Sequence, residues 1–224
     1  MTDRRAVRLG IAGLALIGLF ASCGGSKDKG VESTTSATAS AATAAPSDTS
    51  SGSSEGSPEA VTALTDALID LGTTYHFVTT VRVDDNVVLT AEGDRVGGGV
   101  RLELTNASGS VSYIVTADGS WAKPENGTWA QLDVPAAAND PLAALVHATA
   151  ATLGPKSGNI QVIDIEVPAT ELGIPGDGSA KVSAQVVDGH LDQVTYSTTE
   201  NGQSAEVTTV FGTAKNTDPV VAPA

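Results

Sequence analysis

The chain has 224 residues, with 12 basic and 26 acidic side chains and a formal net charge of −14. Its length and its 41% hydrophobic content suffice for one domain with a buried core. The acidic excess argues against a nucleic-acid partner, because such binding needs lysines and arginines that neutralise phosphates. A single cysteine excludes an internal disulfide framework and a thiolate metal cluster.

Residues 1–22 have the layout of a lipoprotein signal peptide. Three arginines, the last of them Arg8, precede a short apolar run from Leu9 to Phe20, and small residues follow this run. The run is too short to span a bilayer comfortably. The arginine pair leaves both Sec and twin-arginine export open.

The sequence around Cys23 resembles the bacterial lipobox, in which small residues precede a cysteine that is diacylated and becomes the mature N-terminus. Ala21 and Ser22 match this pattern, and Phe20 stands where leucine is usual. Two acyl chains anchor a protein stably where one does not. We therefore predict lipidation at Cys23 and attachment to the outer face of the cytoplasmic membrane. The alternative is an ordinary cleaved signal with an incidental cysteine.

Residues 23–56 are predicted to form a disordered tether. From Gly30 to Ser57 the chain is nearly all Ser, Thr, Ala, Gly and Pro, and Val31 is its only sizeable apolar residue. Such a segment cannot bury enough surface to offset its loss of conformational entropy. A coil of ~34 residues reaches about 30–35 Å from the membrane.

The first ordered element is predicted to be a helix that begins after Ser57. Ser57 suits the N-cap, Pro58 the first helical position and Glu59 the positive end of the helix dipole, and Gly72 is a stop signal. Apolar residues at spacings of three and four are expected to face the core; they are Val61, Leu64, Leu68 and Leu71.

A second helix is predicted after Asp140, which suits the N-cap. Pro141 opens this helix and Gly154-Pro155 ends it. Thr149 interrupts its apolar stripe with a small hydroxyl. The apolar residues of that stripe are Leu142, Leu145, Val146 and Leu153.

The rest of the domain is predicted to form eight or nine antiparallel strands, about five before the second helix and three or four after it. Apolar and polar residues alternate at 77–83, 100–104 and 181–186, as in strands with one buried face. The turn signals are Asp85-Asn86, Asp118-Gly119, Asn126-Gly127, Asp188-Gly189 and Asn201-Gly202. We predict an α+β domain at 57–216 and a flexible C-terminal tail at 217–224.

This organisation resembles the LppX/LprAFG lipoproteins, LolA-like lipid carriers of mycobacteria and related actinobacteria. The segments 117–121 and 126–129, with Trp121 and Trp129 at their ends, are similar to that family's aspartate-glycine-aromatic hairpin. Asp140-Pro141 matches the start of its second helix. The likeness covers about residues 57–216.

The resemblance implies a curved antiparallel sheet, a LolA-like half-barrel, with helices packed on its concave face and an apolar cavity between them. A pre-formed apolar pocket binds acyl chains with little geometric demand. The alternative from the residues alone is a fully packed core of small side chains. The candidate cavity-lining residues are Phe77, Val81, Leu102, Leu104, Val115, Leu145, Val182 and Val186.

The expected function is that of a monomeric, non-enzymatic envelope lipoprotein. The membrane is its first partner, through the N-terminal diacylglycerol anchor, and a lipid or lipoglycan carried between membrane layers is the second. No cofactor is expected other than bound lipid, and no nucleic acid. The alternative is a scaffold or sensory binding module that recognises a protein or glycan through an acidic outer face.

No combination of residues indicates a catalytic or metal site. His76, His147 and His190 are expected on a strand, at the border of a helix's buried face and in a turn, without the spacing typical of zinc ligands or a catalytic triad. The S-x-x-K string at 120–123 lacks its partner motifs. Residues 84–86 are interpreted as a turn rather than a calcium loop.

Trp121 and Trp129 are the largest side chains of the predicted hairpin. They are expected to clamp it by pairing across the 123–127 loop, with one ring buried under a helix. The alternative is that they form the rim of a cavity or contact the membrane interface.

Overall fold

The computed structural model describes residues 56–133, 141–174, 178–200 and 203–223. The signal peptide, Cys23 and nearly all of the tether lie outside these residues, and so do Asp140 and the Asn201-Gly202 turn. The predictions made for those segments stay predictions.

The described part of the chain forms two helices and eleven strands. Helix α1 spans Pro58–Leu71, helix α2 spans Pro141–Val146, and a short 3-10 helix spans Ala169–Leu172. The strands are β1 (Thr74–Val83), β2 (Asn86–Val96), β3 (Gly99–Asn106), β4 (Gly109–Thr116), β5 (Gly119–Pro124), β6 (Ala130–Gln131), β7 (Ala150–Ser157), β8 (Ile160–Pro168), β9 (Ser179–Val187), β10 (His190–Glu200) and β11 (Gln203–Gly212). Six strands precede α2 and five follow it, so the predicted eight or nine was too few.

All eleven strands belong to one antiparallel sheet, in the order β6-β5-β4-β3-β2-β1-β11-β10-β9-β8-β7. Two meanders, β1 to β6 and β7 to β11, meet where β1 pairs with β11. The sheet is open, with β6 and β7 as its edges, and irregularities in β2, β7 and β10 add to its curvature. The predicted fold class, an α+β domain built on an open, curved antiparallel sheet, is confirmed.

One side of the sheet, which we call the inner face, packs against the helices and is apolar. Because side chains alternate along a strand and match across the ladder, the register defines this face. Its central members are Tyr75, Phe77, Val81, Leu89, Ala91, Leu102, Leu104, Tyr113, Ile163, Ile165, Val182, Ala184, Val194, Tyr196 and Val207. The opposite side, the outer face, carries mostly polar residues.

Helix α1 begins and ends as its sequence predicts. The Ser57 hydroxyl accepts a hydrogen bond from the Ala60 N–H, at 3.3 Å, and Pro58 occupies the first helical position. Gly72 ends the helix with a φ of 64°, a left-handed value that favours glycine. All of these signals are local in sequence.

The buried side of α1 differs from the predicted stripe. Ala60, Leu64 and Ala67 are buried, whereas Val61 is 49% exposed. The alanines allow the helix to approach β7 and β10 closely, and this places Val61 on the solvent side. Leu68 and Leu71 pack at the border of the core.

The segment before α1 is held at the edge of the sheet. The Ser57 N–H donates to the carbonyl oxygen of Ala151 in β7, at 2.7 Å. A Cβ on Gly56 would lie 2.8 Å from the Ala151 nitrogen, so the two backbones are in close contact. The chain therefore enters the fold beside edge strand β7.

The predicted length of the second helix is wrong. Helix α2 ends at Val146, which is 71% exposed, and β7 begins at Ala150. The Thr149 N–H donates to the carbonyl oxygen of Glu166 in β8, at 2.8 Å, so sheet pairing takes over where helix was expected. Leu142 and Leu145 are buried as predicted.

Gly154-Pro155, predicted to end that helix, lies inside β7. The pairing of β7 with β8 shifts between Leu153 and Lys156, and this irregularity contains the proline. A proline is tolerated there because β7 is an edge strand.

Tight turns join the strands at most of the predicted places. Asp84 and Asp85 have φ values of 48° and 64° and link β1 to β2, one residue before the predicted pair. Asp188 and Gly189 link β9 to β10 as predicted, with φ values of 51° and 89°. Consecutive positive values are typical of hairpin turns that follow the twist of the sheet.

Candidate functional site

The predicted cavity-lining residues lie on the inner side of the domain. Seven of them share the inner face of the sheet, and Leu145 of α2 belongs to the same core. The buried ones are Val81, Leu104, Leu145, Val182 and Val186, and the half-buried ones are Phe77, Leu102 and Val115. That these residues line a cavity remains a prediction.

The main helix contacts fall on one half of the inner face. Helix α1 packs against β7 and β10, and α2 packs against β8 and the 3-10 helix. The apolar surface continues across β1 to β5, beyond these strands. There it consists of Leu89, Ala91, Val100, Leu102, Leu104, Tyr113 and Ala122, of which only Leu102 is half-buried and the others are buried.

Aromatic rings mark the middle of the inner face. The ring of Tyr75 meets Phe77 and Phe211 edge to face, with centroid distances of 6.4 and 5.7 Å. Burial raises the pKa of Tyr196 to about 12, so this phenol stays protonated at neutral pH. These aromatic side chains therefore carry no charge at neutral pH.

The outer face carries a cleft that sequence reasoning missed. This cleft, of about 750 Å³, lies over β1 to β4, and we call it the outer cleft. Its polar residues alternate with inner-face residues and were interpreted only as a solvated surface. Its lining includes His76, Thr90, Glu92, Asp94, Arg101, Glu103, Thr105, Ser112, Ile114, Trp129 and Lys215.

A polar cluster centred on Asp94 forms one side of the outer cleft. An Asp94 carboxylate oxygen lies 3.0 Å from His76 Nδ1 and accepts the Lys215 N–H at 2.9 Å. The second oxygen accepts the Asn216 N–H at 3.3 Å. The Lys215 ammonium donates to Glu92, at 2.5 Å. The C-terminal segment, residues 213–223 after β11, is thereby fixed to β2.

The contacts of this cluster lower the pKa values of two carboxyl groups, those of Asp94 and Glu92. Burial raises the pKa of Asp94, but the N–H of Lys215, the imidazole of His76 and the N–H of Asn216 together hold it below its ordinary value. The hydrogen bond and charge of Lys215 lower the pKa of Glu92. Both groups are ionised at neutral pH.

Residues 217–223, part of the predicted flexible tail, lie against β3. The Arg101 guanidinium donates to the carbonyl oxygen of Asp218. Val220 lies over Gly99, where an added Cβ would come within 2.6 Å of the Val220 Cβ. Polar and apolar contacts thus hold the tail on the outer face.

Both tryptophans lie on the outer side of the sheet, away from the helices. The Lys123 ammonium sits 5.5 Å from the ring centroid of Trp129, and Trp129 lines the outer cleft. Trp121 is opposite Ile114 on β4 and Gln131 on β6. The neighbours of Trp121 and those of Trp129 are therefore different residues. The prediction that one of the two rings is buried under a helix is wrong.

Two smaller clefts are polar. One, of about 550 Å³, lies over β7 to β10 and includes Asp164, Glu166 and Lys181. The other, of about 450 Å³, lies where α1 meets the β9–β10 turn. There Asp70 forms an ion pair with His190 and raises its pKa.

The histidines occupy three separate places. His76 is on β1 and His190 begins β10, while His147 follows α2 and is exposed rather than at a buried border. Among the described residues, no group of three or more His, Cys, Asp and Glu is arranged to hold a metal ion. Within those same ranges, no helix has the length and hydrophobicity to cross a membrane.

Comparisons with known proteins show a distant likeness in structure and none in sequence. No protein-family model matches the chain, and no curated protein matches it in sequence. Among solved structures, the crystal structure of LprF from Mycobacterium bovis is similar, with 17% sequence identity and a TM-score of 0.48. The match covers 76% of this chain and 98% of that one. A likeness this distant assigns no ligand to the chain.

Proposed function

We propose that this chain is a membrane-anchored envelope lipoprotein that binds a lipid or lipoglycan on its inner face and carries it between membrane layers. One observation carries the proposal: the apolar inner face continues in register across β1 to β5, beyond the strands that α1 and α2 contact most. The resemblance noted in the sequence points to the same ligand class.

The chemistry of that surface suits acyl chains. Transfer of apolar area out of water is favourable by roughly 25 cal/mol per Å², and it needs no directional partner. Leu102 and Val115 are half-buried and lie on neighbouring strands, with Tyr113 beside Leu102. Leu102 and Val115 offer apolar contact to a flexible chain without fixing its position.

The predicted lipidated N-terminal segment would keep the protein at the membrane. A lipidated Cys23 followed by a tether of Ser, Thr, Ala and Gly would keep the domain near the membrane and leave it free to turn. The domain carries a large acidic excess, and anionic lipid headgroups repel it, so the acyl anchor must supply the attachment.

Native mass spectrometry of the full chain, purified from membranes, tests lipid binding. We expect a lipid adduct that organic extraction removes. Leu102→Trp, on the inner face, should reduce adduct occupancy at least about fivefold because the indole fills the contact surface. Val210→Trp is the matched control, because Val210 is 41% exposed on the outer face.

The outcomes separate lipid binding from anchoring. A chain that carries no lipid, or equal lipid in the two tryptophan variants, would contradict binding on the inner face. Cys23→Ser tests the anchor alone and should move the protein from the membrane fraction to the soluble fraction. Membrane retention of that variant would contradict lipidation at Cys23.

A further inference from the structure

We propose that the outer cleft is a binding site for a neutral saccharide. It lies on the opposite side of the sheet from the proposed lipid surface, so the two ligands would not compete. The proposal does not rest on lipid binding. Its observations are the shape of the cleft, the state of its charges and the chemistry of its floor.

The floor of the outer cleft is set by strand register. On the outer face Glu92, Glu103, Ser112 and Lys123 lie side by side on β2, β3, β4 and β5. Asp94, Arg101 and Ile114 form a parallel row one step along the same strands. The floor therefore presents carboxylate acceptors, the Arg101 guanidinium and the Ser112 hydroxyl at the spacing of neighbouring strands, about 4.8 Å.

Two walls turn this floor into a cleft. The C-terminal segment forms one wall, where Lys215 bonds to Glu92 and Asp94. Trp129, under the Lys123 ammonium, stands on the other side. The volume of about 750 Å³ falls within the usual range for small-molecule sites, roughly 300–1,000 Å³.

The charges of the outer cleft largely neutralise one another. Glu92 is paired with Lys215, Asp94 accepts two backbone N–H groups, and Arg101 donates to the carbonyl oxygen of Asp218. An anion would meet the carboxylates of Glu92, Asp94 and Glu103, and a cation would meet Lys215 and Arg101. A neutral ligand avoids both repulsions.

Hydrogen-bonding capacity remains for such a ligand. The exposed Glu103 carboxylate makes no ion pair with another described residue, and Thr90, Thr105 and Ser112 offer hydroxyls that donate and accept. Sugar hydroxyls, which also donate and accept, complement this set.

Apolar groups beside the polar floor complete the match. Trp129 and Ile114 both line the outer cleft and are half-buried. Sugars present C–H groups as well as hydroxyls, and an indole ring offers apolar contact with a polar edge. A ligand with only hydroxyls or only apolar surface would leave part of this lining unmatched.

Tryptophan fluorescence and NMR titration of the full chain test the proposal. The probes are the neutral disaccharides maltose, cellobiose and α-1,6-mannobiose, with spermidine and inorganic phosphate as ionic controls. We expect at least one disaccharide to saturate the signal, and Glu103→Gln and Trp129→Phe each to weaken its binding about tenfold or more. The matched controls Glu166→Gln, over β7 to β10, and Trp121→Phe should bind as the parent does.

Each possible result of these titrations either supports or overturns the proposed saccharide site. Saturable disaccharide binding that both cleft variants weaken, and neither control does, supports the site. Absence of saturation with every disaccharide overturns it, as does binding that Glu103→Gln leaves unchanged or a stronger response to spermidine or phosphate. NMR shifts must centre on β2 to β4 and the C-terminal segment; shifts centred on β7 to β10 also overturn it.

Discussion

At the scale of single residues, Thr79 and Thr209 form the polar pair most deeply placed among apolar neighbours. Their hydroxyls meet at 2.9 Å between β1 and β11, and the two residues are 6% and 2% exposed. Each hydroxyl is the hydrogen-bond partner of the other. Leaving a buried polar group without its partner lowers the stability of the fold by more than the hydrogen bond itself contributes.

Thr209→Val should lower the free energy of unfolding by about 1–3 kcal/mol, because the Thr79 hydroxyl is then buried without its partner. The double variant Thr79→Val/Thr209→Val should recover much of this loss, since both polar groups are gone and the shape is kept. Chemical denaturation of the three variants measures the coupling.

The matched control is Thr208→Val on the same strand. Thr208 faces Thr195 at 3.4 Å on the outer face, where both residues are half-buried and water can replace the lost contact. We expect a loss below about 0.5 kcal/mol. Strictly additive effects at Thr79 and Thr209 would contradict a mutual hydrogen bond.

Sequence alternation places Thr79 and Thr209 on the inner face, two residues from Val81 and Val207, but it does not show that they are partners. Val81, Leu102 and Val182 alternate with polar neighbours, and period two alone defines their face. Thr79 and Thr209 are polar by composition and lie 130 positions apart. Only the pairing of β1 with β11 shows that they are buried together.

At the scale of elements, the two helices show which signals are reliable. Every signal of α1 lies within the helix or next to it, and its bounds were predicted correctly. Helix α2 was predicted too long because the residues after Val146 pair with β8 instead. A local pattern does not reveal a competing strand that follows later in the chain.

The C-terminal end of α1 is fastened to the β9–β10 turn by Asp70 and His190. The hydrogen bond and charge of Asp70 raise the pKa of His190, with a smaller contribution from Asp188. Because the pKa is raised, the ion pair stabilises the fold at pH values below the ordinary histidine pKa of 6.5. This contribution is lost as pH rises through the pKa of His190 in the folded protein.

Asp70→Asn should therefore lower the pKa of His190 toward 6.5. Asp188→Asn should lower it less, because Asp188 acts only through its charge, and Asp66→Asn on the same helix should leave it unchanged. NMR titration of the imidazole measures all three. An unchanged His190 pKa in Asp70→Asn would show that the pair does not form in solution.

At the scale of the whole molecule, the two ends of the described chain lie on opposite sides of the sheet. Helix α1 covers part of the inner face, and the C-terminal segment crosses the outer face through Asp94, Arg101 and Gly99. The tail was predicted to be flexible, and its attachment was missed because its partners are more than 100 positions away. Its own composition of Thr, Asp, Pro, Val and Ala gives no sign of them.

Acid should release this tail. In the folded protein the pKa of Asp94 lies below its ordinary value of 3.8. The ionised carboxylate therefore stabilises the attached tail at pH values above 3.8. This contribution is lost as pH falls through the lower pKa of the folded protein. The amide signals of Lys215 and Asn216 should shift together in that range. NMR from pH 6 downward measures the change.

Asp94→Asn should remove that titration, while Glu92→Gln should keep it because Glu92 contacts only the side chain of Lys215 in the tail. Tail amides that titrate at the same pH in Asp94→Asn would show that another group controls the attachment.

The position of Gly56 beside edge strand β7 also has a mechanical meaning. Tension along the preceding chain would enter the fold through the hydrogen bond from Ser57 to Ala151 and the cap of α1. These bonds are loaded one after another, as in peeling, rather than together, as in shear. Helix α1 would thus detach before the strands separate, and a stretched tether would uncover the inner face while leaving the sheet intact.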